Sequence, residues 1–159
     1  MNVFVDSTTL LYTLDRASPE KQAVCAAWLS RLRLSGRMRL SLQVLSECYA
    51  VVRRKPAFAT AREGVRAYLA DHGPWLCPPA TATTLQSAWR IEDDCRLGWW
   101  DSLLLATAAE AACGVFLTED LNDQQTYGAV RAVNPFRHAP ESILDAGAFP
   151  PLGRQADTV

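Results

Sequence analysis

The N-terminal stretch Met1-Asn2-Val3-Phe4-Val5-Asp6-Ser7-Thr8-Thr9-Leu10 organises the rest of the chain. Valine and phenylalanine suit a pleated, buried backbone, so residues 3–5 read as a strand buried on both faces. Asp6 follows directly and falls at the C-terminal edge of that strand. In open parallel α/β sheets this edge is where ligands bind. The pattern recurs at Val115-Phe116-Leu117-Thr118, which runs into Glu119-Asp120. Two acid-tipped strands in one short chain predict an acidic pocket. Asp6 alone could equally cap the helix that follows it.

Working outward, the chain alternates strands and helices. Leu10, Leu11 and Leu14 follow helical spacing. Ser18-Pro19-Glu20 is a helix start, with Val24, Ala27, Trp28 and Leu32 as its apolar stripe and Gly36 as its stop. Residues 37–41 are a short run that could be a strand, and a helix over 42–55 ends at Pro56. Thr60-Ala61-Arg62-Glu63 is a capping-box pattern that opens the next helix. Trp75-Leu76-Cys77 is a short apolar run. Helices are predicted over 83–97, with Trp89 on its apolar face, and over 99–113. A strand over 115–118, a short helix over 121–127 and a last strand over 130–133 follow. Such alternation predicts an α/β sandwich with a parallel sheet.

The bulk properties set limits. The 159 residues suit one core, with 49% hydrophobic and 21% charged residues. No apolar run reaches the roughly 20 residues of a membrane helix, and no secretory signal is visible, so a cytoplasmic location and no membrane partner are expected. The net charge of -1 does not advertise a nucleic-acid binder, so a phosphate ligand would need a local basic patch or a metal. The five cysteines form no C-x-x-C pair and read as small buried hydrophobes.

Glu47 is out of place. Val44 and Val51 flank it at helical spacing, so an acid shares an apolar stripe. Asp101 follows Trp99-Trp100 and precedes Leu103-Leu104-Leu105. The plain reading there is an acid in the first turn of a helix. Asp120 and Asp123 could be turn or cap residues, and Glu119 could face water. If Asp6, Glu47, Asp101 and Asp120 converge, their repulsion calls for a cation. An all-oxygen set without histidine or cysteine suits Mg2+ or Mn2+, which activate water and stabilise phosphoryl-transfer charge. For RNA contact the candidates are Arg53-Arg54-Lys55, where helix C-capping explains the charge equally well, with Arg62 and Arg66 on the next helix. Arg31, Arg33, Arg37 and Arg39 read as a solvated face, and the tryptophans as packing residues.

These segments, from Val3 to Tyr12, Leu42 to Tyr49, Trp99 to Ala108 and Leu117 to Leu121, together with Val133-Asn134-Pro135-Phe136, resemble the PIN-domain ribonucleases, and most closely their VapC-type toxins. The resemblance spans residues 1–136, leaving 137–159 as a C-terminal tail. It implies a PIN-like three-layer sandwich with a central, mostly parallel sheet flanked by helices. It implies a magnesium-dependent endoribonuclease, the toxin of a type II toxin–antitoxin pair, hydrolysing RNA with metal-activated water. It also implies a homodimer and a cognate antitoxin protein. The family's acidic positions fall on Asp6, Glu47, Asp101 and Asp120, with Asp6 and Asp101 as chief metal ligands and Asp123 as a possible outer acid. Arg53 and Arg54 are the substrate-contact candidates. Two departures stand out: Thr8 replaces the family's usual asparagine, and Asp123-Gln124-Gln125 lacks a glycine. The alternative from another class is a PIN-like binding module that does not cleave. A phosphatase with a nucleophilic Asp6 is disfavoured, because it needs an aspartate where Thr8 stands.

Overall fold

The computed structural model describes residues 1–54 and 62–145. The N-terminal strand forms as β1, Asn2–Val5, and passes through Asp6 into α1, Ser7–Leu14. Next come α2 (Pro19–Leu34), β2 (Met38–Arg39), α3 (Leu42–Arg54), α4 (Arg62–Ala70), α5 (Ala82–Cys95) and α6 (Trp99–Glu110). Then β3 (Cys113–Leu117), β4 (Thr126–Tyr127), β5 (Val130–Val133) and α7 (Pro140–Leu144) complete the described chain. The sheet order is β2-β1-β3-β5-β4. The first four strands in that order run parallel, and β4 is an antiparallel edge on β5. The α/β sandwich with a mostly parallel sheet is therefore the observed fold.

The buried positions of the central strands are apolar because helices flank the sheet. Val3, Phe4, Val5, Val115, Leu117, Ala132 and Val133 are fully buried. Phe4 and Phe116, neighbours in the β1–β3 register, meet edge to face with centroids 5.6 Å apart. Around this centre α1 packs on α2 and α3, α3 on α4, and α5 on α6.

Several local expectations need correction. The helix over 121–127 is absent. Gln124 takes a left-handed φ of 65°, and Thr126–Tyr127 instead form β4, which pairs with β5 and buries Tyr127. The helix over 99–113 ends at Glu110, because Ala112 turns left-handed at φ 52° and releases Cys113 into β3. Trp89 is 52% exposed rather than core. The inward stripe of α5 runs through Thr84, Ala88, Ile91 and Cys95, one position round from Trp89. On α2 the buried stripe is Cys25, Trp28, Leu29 and Leu32, leaving Ala27 exposed. Trp75-Leu76-Cys77 belongs to a short 3-10 turn and one parallel bridge, Leu40 to Leu76. Thr60, Ala61 and Lys55 lie outside the described residues.

The segment expected as a tail begins with packed structure. α7 lays Ile143 and Leu144 into the core against α2. The indole N–H of Trp28, itself fully buried, donates to the carbonyls of Pro135 (3.2 Å) and His138 (3.1 Å). Arg37 donates to the carbonyl of Leu144 at 2.8 Å. Trp28 thus fastens the chain after β5 to α2. Trp28→Phe should lower stability by about 1–3 kcal/mol, from lost volume and two buried carbonyls left without their donor. Urea unfolding measures this, and an unchanged midpoint would show that the fastening contributes nothing.

Candidate active site

Three adjacent parallel strands end at one edge. Asp6 follows β1, Thr118 follows β3 and Asn134 follows β5. The ladder continues one step beyond the strands: Asp6 N–H donates to the Leu117 carbonyl at 3.2 Å, and Thr118 N–H to the Val133 carbonyl at 3.0 Å. Sheet geometry therefore sets Asp6 and Thr118 side by side.

Asp6 is 5% exposed and does two jobs. Oδ1 caps α1, accepting from the Ser7 N–H at 2.7 Å. Oδ2 accepts the hydroxyls of Thr8 (3.0 Å) and Thr118 (2.9 Å). Thr8 therefore reaches the carboxylate from the position where the family usually has asparagine. These three hydrogen bonds, with a longer one from the Ser7 hydroxyl to Oδ1 at 3.4 Å, fix the orientation of the group. Burial pushes its pKa from 3.8 up to about 6, against the pull of Thr118, Thr8 and the Ser7 N–H, while the charge of Asp120 pushes the same way as burial.

The other acids form an electrostatic chain. Asp101, at the third position of α6, is held above the usual carboxylate range by burial, then by the charges of Asp120 and Glu47. No hydrogen bond or ion pair engages its carboxylate among the described residues. Asp120 stands at the rim and is also raised, by desolvation and by Glu119, with Lys21 opposing. Its N–H donates to Thr118 Oγ1 at 3.2 Å, so Thr118 links Asp6 to the Asp120 loop. Glu47 is half-buried on α3 and accepts from Gln43 Nε2 at 2.9 Å. One residue on, the Cys48 thiol donates to the Ser7 carbonyl at 3.4 Å, fastening α3 beside Asp6. The charges thus link pairwise, Asp6 with Asp120, Asp120 with Asp101 and Asp101 with Glu47. No cation pairs with Asp6, Glu47 or Asp101 among the described residues.

Asp123 is occupied elsewhere. Oδ1 accepts the Asn134 N–H, and Oδ2 pairs with His138 Nε2, both at 2.9 Å. Burial raises its pKa, but those two partners outweigh burial and leave it lowered. It ties the loop to the end of β5. Glu119 does not simply face water: it accepts from the Tyr12 hydroxyl at 2.6 Å and from Lys21 Nζ at 2.9 Å. Lys21 also donates to the Tyr12 oxygen at 2.7 Å and lies over the Tyr12 and Phe136 rings. Thr118 and this Tyr12–Lys21–Glu119 cluster are the supports that sequence reasoning missed. Arg53 and Arg54 are exposed at the end of α3. The Arg31–Arg39 stretch is engaged in structure: Arg31 pairs with Asp145, Arg33 donates to His72 Nε2, and Arg39 donates to the Gly36 and Met38 carbonyls.

Residues 3–128 match the profile of the PIN domain, so the chain belongs to the PIN-domain family. No curated protein matches it. Among solved structures it is similar to VapBC of Salmonella typhimurium bound to DNA, with 16% identity and a TM-score of 0.60, covering 83% of this chain and 96% of that one. VapBC2 of Rickettsia felis, bound to a promoter DNA fragment, gives 13% identity and a TM-score of 0.59, with coverage of 83% and 97%. The sarcin–ricin-loop-cleaving toxin VapC20 of Mycobacterium tuberculosis gives 18% and 0.54, with coverage of 82% and 99%. These likenesses establish the shared fold.

The raised acids make stability depend on pH. An acid with a raised folded-state pKa binds more protons folded than unfolded, so stability falls as pH rises from about 4 through about 6. Asp101 and Asp120 act in the same direction. The protein in chelator should therefore melt higher at pH 5 than at pH 7. Asp6→Asn should flatten that slope and be more stable than wild type at pH 7, by up to roughly 3 kcal/mol. Thermal melts across this range measure it, and equal slopes for the two proteins would refute the assignment of the strain to Asp6.

Proposed function

We propose that the protein is a metal-dependent endoribonuclease, the toxin of a type II toxin–antitoxin pair. The observation that carries this reading is a linked run of acids at the strand edge: the charge of Asp120 acts on buried Asp6 and on Asp101, and Glu47 acts on Asp101, with no cation paired to Asp6, Glu47 or Asp101 among the described residues. Membership of the PIN family supports a nuclease, and the VapC and VapBC structures support a toxin with a protein antitoxin.

The donor set fits a hard divalent ion. Among the described residues no three His, Cys, Asp or Glu side chains stand together in a way that could hold a metal ion between them. An ion here would therefore bind through one or two carboxylates and keep several waters, as Mg2+ does. Asp6 and Asp101 are the residues to hold it, with Mn2+ as a substitute. When bound, the ion would supply Lewis acidity and a more acidic water. The chain's own contributions are distinct. Thr8, Thr118 and the Ser7 N–H orient Asp6 and favour its ionised form. Asp101 offers a carboxylate with no hydrogen-bond or ion-pair partner among the described residues. Asp120, with its raised pKa, is suited to take a proton from an attacking water at its carboxylate. Glu47 keeps the rim negative from the α3 side.

The substrate in this reading is single-stranded or looped RNA, whose backbone is accessible to a groove. A basic side chain of the antitoxin, paired with two of these carboxylates, would compete with the ion. A homodimer in the cytoplasm completes the proposal. No helix of the described chain is long and apolar enough to cross a membrane.

Asp6→Ala and Asp101→Ala should each abolish cleavage of RNA by purified protein and relieve growth arrest on expression. Thr118→Val, which removes one bond to Asp6, should cost about 10–100-fold in activity or metal affinity. If wild-type protein leaves total RNA intact with Mn2+ and is harmless on expression, the non-cleaving binding module is the correct reading.

A further inference from the structure

The surface between α3 and α4 has a composition that the acidic edge does not explain. Tyr49, Val52, Arg53, Arg62 and Val65 line a cavity of about 220 Å³. Tyr49 and Arg53 are four residues apart and share one face of α3. Arg62, Val65 and Arg66 likewise share a face of α4. The guanidinium carbons of Arg53 and Arg66 both lie 5.9 Å from the Tyr49 ring centroid. Arg66 Nε donates to the Tyr49 hydroxyl at 3.3 Å. None of Arg53, Arg62 and Arg66 forms an ion pair with a carboxylate among the described residues, Glu63 on α4 included.

Arg53 and Arg66 lie against the Tyr49 ring and Arg62 lines the same cavity, and such exposed guanidinium groups repel one another unless an anion joins them. The guanidinium fork matches phosphate oxygens, and tyrosine offers a π-face to a base. Position agrees with this. Tyr49 directly follows Cys48, the residue that fastens α3 beside Asp6. Arg53 lies about 8 Å further along the helix, at 1.5 Å per residue. The cavity is smaller than the roughly 300–1,000 Å³ of a small-molecule pocket, so it suits one part of a polymer rather than a whole free ligand.

We propose that this groove is an RNA subsite, in which Arg53 and Arg62 hold a backbone phosphate and Tyr49 packs against the base of a nucleotide close to the one being cut. It rests on the nuclease reading and adds what that reading lacks, the place where the chain grips its substrate away from the acids. Arg66 lies against the same ring and adds positive charge at the rim of the groove.

The test separates the two ideas. In an Asp101→Asn background, fluorescence anisotropy measures binding of a short labelled single-stranded RNA across a salt series. Arg53→Ala with Arg62→Ala should weaken binding at least about tenfold and make the salt dependence shallower by roughly 0.7 in slope for each phosphate no longer neutralised. Tyr49→Leu should weaken binding roughly tenfold with little change in slope, while Tyr49→Phe, which keeps the ring, should stay within about twofold. In the otherwise wild-type protein these changes should raise KM and leave kcat near its original value. Far-UV circular dichroism and melts confirm folding, and the exposed arginine pair remains informative should Tyr49→Leu unfold. Unchanged RNA affinity and KM in the arginine variant, with Asp101→Asn still abolishing cleavage, would overturn the groove and leave the nuclease intact. Loss of binding to a protein partner with RNA affinity unchanged would also overturn it and assign the groove to protein docking. Wild-type protein that neither binds nor cuts RNA would overturn both.

Discussion

A carboxylate held out of water at the end of a central strand is the constraint on which the rest depends. Asp6 sits where β1 becomes α1, capping the helix through one oxygen and taking two threonine hydroxyls on the other. Such a group is costly to ionise, and the charge of Asp120 raises the cost rather than lowering it. A fold selected for stability alone would place asparagine or serine here, which cap a helix without adding charge. The retained charge of Asp6 is strain, and in the proposed reading its counterweight is a cation supplied from solution. Function and instability thus share one origin.

The supports of that carboxylate come from distant parts of the chain. Parallel strands β1, β3 and β5 deliver Asp6, Thr118 and Asn134 to one edge, and Thr118 couples Asp6 to the loop that carries Asp120. The same loop is braced by Glu119 through Tyr12 and Lys21, and by Asp123 through Asn134 and His138. Two acids of the Glu119–Asp123 segment are therefore used to build the loop. The carboxylate of Asp120, between them, takes no hydrogen bond or ion pair among the described residues. On the other side, α3 presents Glu47 toward the acids and Tyr49 and Arg53 toward α4, so one helix serves a negative centre and a positive groove.

Much of this was legible in sequence where the signal is local. A buried strand ending in an acid marked Asp6, and an acid on an apolar stripe marked Glu47. Local signals read Asp101 as a first-turn helix acid and Asp120 as a turn acid, and the family resemblance is what made them site candidates. The parallel sheet followed from alternation of elements. What was not legible is contact across long separations. The Thr118–Asp6 bond spans 112 positions and the Tyr12–Glu119 bond spans 107, and no periodicity reports either. Local signals also failed where tertiary pairing overrode them. Residues 121–127 look helical until β5 offers Thr126 and Tyr127 a strand partner. Ala112 adopts a left-handed turn that nothing in its alanine-rich surroundings announces, and Trp89 lies outside the core because smaller Ala88 packs inward at the helix interface.

The central claim is that the acids at this edge share a divalent ion. Diffraction from crystals grown with millimolar Mn2+, recorded for the anomalous signal of manganese, tests it most directly. An anomalous peak bridging the carboxylates of Asp6 and Asp101, absent in crystals of Asp101→Asn, is the expected result. A clear map with both carboxylates ordered and no manganese between them, or manganese bound only at unrelated surface acids, would contradict it.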